Sequence, residues 1–336
     1  MLENPISSES QEKICYRFWE RIEELEGAVL RGDENWKGSA VTKRGRTRTQ
    51  RRSDMKESPM KPADLQLTTQ VIGYGRFLFV VLPASRVDAA LTAALDDLGR
   101  GLENMHEVEG YPSEEAFRRG RFQLLRADPA CIGERDISHP AMSEANVLIR
   151  LEAAAPESLI IYEKGLRALV EPRGGTVEVL AGVQRPRSYT SYAMTQYAYA
   201  PALPPGSARR LPMGVVTPQN KTAAWWAMDW MRRETFFLPR YDDQGNVLAK
   251  GHALAAAAGI PCITRRLYHA PERYGRPDGY DFIGYFEFAE EDAPIFRAVM
   301  TALRDTAQNP EWAYVREGPE WWGRRVVSAT ELWEAS

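Results

Sequence analysis

Cysteine is scarce: Cys15, Cys131 and Cys262 are the three in 336 residues, and no two stand in Cys-x-x-Cys spacing. An odd, scattered set of this kind excludes a disulfide framework and a zinc ribbon. Histidine is scarce too, and His106, His139, His252 and His269 lie too far apart in sequence for an obvious multi-histidine metal cage. The longest apolar run, Ala253 to Ile263, is about half the ~20 residues that cross a bilayer, and Gly259 and Pro261 interrupt it. No membrane span is expected. Neither sign of charge dominates: 43 Lys and Arg against 46 Asp and Glu leave −3, which excludes a surface built throughout to hold nucleic acid. The first residues carry no basic start followed by an apolar stretch, so a cytoplasmic location is expected. Dinucleotide and phosphate loops, the Gly-x-Ser-x-Gly elbow and His-Glu-x-x-His are all missing.

What the chain does contain is a 44% hydrophobic, 26% charged composition, enough to bury a large core. Residues 1–66 read as an extension. Within it Ile14, Phe18, Ile22, Leu25 and Val29 keep helical spacing, and a basic stretch from Lys37 to Arg52 reads first as a linker. From 67 onward strand and helix signals alternate. Strands are expected at 77–82, 122–125, 146–151, 159–162, 176–183, 213–216, 264–268, 282–288 and 312–315, with helices at 85–102, 163–170, 222–233, 249–259 and 292–304. This pattern predicts an α+β fold of two ferredoxin-like halves, 67–206 and 207–336, joined in a β-barrel or sheet with helices packed outside.

His252 stands in a helix of small apolar residues, and the strand after it, Thr264 to His269, puts Arg265 and Arg266 into an apolar hairpin. Alternation on a strand sends one of the two inward and the other toward solvent. A buried guanidinium needs a reason.

In that order and spacing, His252, then Arg265 thirteen residues on, then Leu267-Tyr268-His269 and Asp281 to Glu287 resemble the chlorite dismutase family of haem b proteins, of the dimeric α+β barrel type. Lys221 with Trp225-Trp226, the Arg185 to Tyr189 segment, Val315-Arg316, Gly318 and Gly323 extend the resemblance over about 176–332. The resemblance implies haem b (iron protoporphyrin IX), with His252 as the metal ligand and Arg265 as the catalytic residue above the open axial side. It implies further cofactor contacts from Lys221 at the propionates, Trp225, Trp226, Tyr189, Leu267, Gly284 and Phe286. His269 is read as structural. The implied activity is conversion of chlorite, a small oxyanion, to chloride and dioxygen at ferric haem. The alternatives are a peroxidase-like or organic-substrate haem enzyme on the same scaffold, and a haem-binding module without turnover. A homo-oligomer, pentamer or dimer, is implied as well, and no nucleic-acid partner is expected.

Three departures from the family pattern bear on the site. An insertion, 227–251, precedes His252 and is expected to reshape access. Gly284 stands where the family has a threonine, which is expected to leave volume beside Phe286. The carboxylate partner of the ligand imidazole aligns with either Gln308 or Glu311, and only the second would give the imidazole anionic character.

Overall fold

The computed structural model describes residues 71–128, 140–185, 202–272, 274–275 and 279–334. Tyr189, Cys15, Cys131, His139 and the whole 1–66 extension lie outside the described residues. The first half runs β1 (Gly73–Val81), α1 (Ala89–Leu98), β2 (Arg121–Ala127), β3 (Val147–Ala153), α2 (Glu157–Val170) and β4 (Thr176–Gln184). The second runs β5 (Met213–Lys221), α3 (Ala223–Ala227), α4 (Trp230–Glu234), α5 (Gly251–Ala256), β6 (Ile263–His269), β7 (Phe282–Phe288), α6 (Ala293–Arg304) and β8 (Trp321–Val326).

The spatial order β4-β1-β3-β2 and its counterpart β6-β7-β5-β8 are each the ferredoxin-like arrangement, reached by two strand–helix–strand crossovers. The halves join where β2 pairs with β8 and where Val183 of β4 meets His269 of β6. The sheet therefore closes into an eight-stranded antiparallel barrel. Phe77, Phe79, Leu148, Tyr268, Ile283 and Tyr285 fill its inside, each contributing roughly 1.5–3 kcal/mol of burial. Outside, α1 and α2 cover the first half over Leu91, Leu95, Leu159 and Leu166, and α6 covers part of the second over Phe296, Val299, Met300 and Leu303. This is the expected α+β architecture.

Local departures have physical causes. Leu159 to Tyr162 is the first turn of α2, because Leu159, Tyr162, Leu166 and Val170 bury one helical face; a four-residue apolar run cannot by itself distinguish strand from helix. Thr222 to Arg233 is two short helices, each restarted by its own cap, Thr222 and Asp229. Trp312 is part of a 3₁₀ turn, Pro310–Tyr314; a short strand, Val315–Glu317, follows and pairs with β5, and the last strand is β8. The arginines Arg324 and Arg325 obscure β8 in the sequence. Arg325 is buried, and its guanidinium donates to the carbonyls of Gly206, Leu211 and Met105.

Candidate functional site

Between the outer face of β5, β6 and β7 and the helices α3 to α6 lies a cavity of about 1500 Å³, counting the part open to solvent. The β pleat decides what faces it. Tyr268, Ile283 and Tyr285 point into the barrel, so Arg265 and Leu267 of β6, Phe282 and Phe286 of β7 and Gln219 and Lys221 of β5 face outward onto the cavity. Arg266 takes the opposite face, as alternation requires. It ends among Arg121, Arg150, Glu152, Glu287 and Arg325 at a small polar pocket rather than in solvent.

His252 lines the opposite wall, on the short helix α5. Two features hold that helix. The N–H groups of His252 and Ala253 donate to the carbonyls of Phe236 (3.2 Å) and Phe237 (3.0 Å), which belong to the 227–251 insertion. Gly251 adopts φ +59°, and a Cβ there would lie 2.4 Å from the Leu238 carbonyl oxygen, so the turn requires glycine. The insertion therefore seats the histidine helix.

Nδ1 of His252 donates to Glu311 Oε2 at 2.9 Å, and the other carboxylate oxygen accepts from the Lys221 ammonium. Glu311 is 4% exposed. Burial alone would raise its carboxyl, but the charges and hydrogen bonds of Lys221 and His252 outweigh burial and bring it down to about 2. An ionised Glu311 can only accept, so Nδ1 donates to it and Nε2 is left outside that hydrogen bond. Gln308 meets the same helix through its backbone carbonyl, which accepts from Gly251 N–H. Glu311 is thus the imidazole's partner.

Lys221, expected at the propionates, also lines the cavity. Its side chain is buried, engaged by Glu311 and stacked 4.4 Å over the Trp225 ring, so its charge is used beneath the histidine. Trp225 is packed among Phe236, Phe237 and Tyr314, while Trp226 stacks on Tyr274 at 4.5 Å and donates its indole N–H to Asp281 Oδ2 at 3.2 Å. Both rings line the cavity. Asp281 also accepts from Lys221 N–H (2.7 Å), which ties the strand end to both tryptophans' helix. Burial holds the Asp281 carboxyl above its usual value despite these hydrogen bonds.

Gly284 does not leave the space expected of it. A Cβ at that position would lie 2.7 Å from Thr217 Oγ1, on the paired strand, and 3.0 Å from the Phe286 ring. The hydroxyl and the aromatic ring already take the volume. His269 is buried, and its Nδ1 lies 2.9 Å from the Tyr274 hydroxyl. His252, Arg265, Lys221, Trp225, Trp226, Leu267 and Phe286 therefore share one cavity, with Gly284 beneath its strand wall.

Sequence reasoning assigned no role to Asp281, Thr217 or Arg233. Asp281 had a signal, since a lone acid before an aromatic-rich strand needs donors; the other two had none. Among the described residues no group of three or more His, Cys, Asp or Glu side chains is placed to hold a metal ion, and no helix is long and apolar enough to cross a membrane.

The fold is that of the chlorite dismutases. A mutant chlorite dismutase from Candidatus Nitrospira defluvii superposes with TM-score 0.55 at 19% identity, over 79% of this chain and 95% of that one. Chlorite dismutase from the same organism in complex with imidazole gives 0.53 at 21% identity, over 80% and 97%. No family model and no curated protein matches the chain.

Proposed function

We propose that the cavity takes haem b and that the protein is a haem-dependent oxidoreductase converting chlorite to chloride and dioxygen. The observation that carries this is the pairing across one cavity of a histidine backed by an ionised glutamate with an arginine on the facing strand wall. The residues fit the group. The walls are largely apolar and aromatic, and the single imidazole offers Nε2 where a porphyrin would supply the remaining nitrogens. Bound haem would supply the redox and oxygen-transfer chemistry that the side chains lack.

The chain's own part follows from its chemistry. His252 holds its proton at Nδ1 on Glu311, and Lys221 keeps that carboxylate ionised, so the imidazole is oriented and made a stronger donor. Arg265 brings a permanent positive charge to an apolar wall, where it attracts a small anion and retains an anionic leaving group. Leu267 and Phe286 limit water there. Chlorite contains every atom of chloride and dioxygen, with chlorine reduced and the two oxygens oxidised. No proton or outside electron is needed, so the reaction calls for no general base. On the same reading the protein acts in the cytoplasm as a homo-oligomer, with the 207–336 half holding the cofactor.

The test is an oxygen electrode. Hemin-loaded protein given chlorite is expected to release one dioxygen and one chloride per chlorite consumed. Bleaching of the haem without dioxygen release would overturn the chlorite reading.

A further inference from the structure

Three cations line the cavity: Lys221, Arg233 and Arg265. Lys221 is committed to Glu311 and Arg265 faces the cavity from the strand wall. Arg233 belongs to neither arrangement. It sits on α4 within the 227–251 insertion, where Asp229 caps the helix by accepting from Arg232 N–H at 2.9 Å. Its neighbours Trp230 and Met231 are exposed, whereas Arg233 is 4% exposed, with its guanidinium 5.6 Å over the Trp226 ring. Nε and Nη1 are both buried without a hydrogen-bond partner. A guanidinium cannot shed its charge at ordinary pH, so burying it with idle donors is unfavourable unless an anion completes the site.

Resting on the haem reading, we propose that Arg233 anchors a carboxylate side chain of the bound tetrapyrrole at the cavity mouth. Trp226 supports the guanidinium from below by cation–π contact. The insertion then serves the cofactor twice, through the carbonyls of Phe236 and Phe237 that seat the histidine helix and through a cation of its own. Substrates and cofactors selected this way are porphyrins with free acid groups.

The test titrates the full chain with hemin and with hemin dimethyl ester, following the Soret band. Wild type is expected to bind the free acid about tenfold more tightly than the ester, the size of one charge-assisted hydrogen bond. Arg233→Gln should lose that preference by weakening only the acid, and Arg233→Lys should recover part of it. The acid-to-ester ratio is internal to each variant, so a partly folded sample does not imitate the effect. An undiminished preference in Arg233→Gln overturns the anchor and leaves the haem reading intact; wild type that binds neither porphyrin overturns both.

Discussion

Dioxygen release from chlorite by the Arg265→Gln variant is expected to fall about 10²–10³-fold, the loss found when one charged or hydrogen-bonding group is removed from a developing anion in a water-poor site. Glutamine keeps a polar, hydrogen-bonding head but is shorter, has fewer donors and carries no charge. The wall around position 265 is supplied by Leu267 and Phe286, which do not replace it. Arg265→Lys should retain more activity than Arg265→Gln, because charge is preserved while the planar fork is lost. Hemin affinity should change little in either variant, since the porphyrin is held from the α5 side. Equal turnover in wild type and Arg265→Gln, measured on the oxygen electrode, would remove the residue from the chemistry.

The largest stability effect is expected at Glu311. Glu311→Gln leaves the Lys221 ammonium buried without its counter-charge, a change that costs about 3–5 kcal/mol in comparable buried pairs. At roughly 2–4 °C per kcal/mol for a domain of this size, the melting temperature should drop by about 10 °C. The double variant Lys221→Met, Glu311→Gln should regain most of that loss, because both charges are then gone, yet it should not regain the oriented imidazole. Acid should act in the same way. The Glu311 carboxyl is depressed in the folded protein, so its contribution is full above the unfolded value of about 4.5 and is lost as pH falls toward about 2. Wild type should therefore lose stability across that window by calorimetry, and Glu311→Gln should lose less.

Much of the site is legible in sequence because strand alternation is rigid. Once β6 and β7 are recognised, Arg265, Leu267 and Phe286 must share a face, and Arg266 must leave it. His252 is singled out only by the family resemblance, in which it precedes Arg265 by thirteen residues. The carboxylate is not, because Pro310–Tyr314 turns as a 3₁₀ helix, and linear spacing cannot tell which of Gln308 and Glu311 such a turn buries. The Lys221–Glu311 pairing is not legible for a related reason: Lys221 ends β5, and only the closing of the cavity brings its ammonium to a carboxylate 90 residues on. Gly284 shows the limit of reading a missing side chain as empty space, since Thr217 arrives from a strand 67 residues away and fills it. The two-half barrel is legible from the order of elements, whereas β8 is hidden by arginines whose partners are backbone carbonyls far off in sequence.

The central claim is that His252 donates Nε2 to the iron of a porphyrin held in this cavity. Its most direct test is the absorbance spectrum of the full chain titrated with hemin, wild type beside His252→Ala, each with and without added imidazole. Wild type should give a saturable Soret shift at one hemin per chain, His252→Ala should lack it, and free imidazole should restore it. A His252→Ala spectrum indistinguishable from wild type would contradict the account.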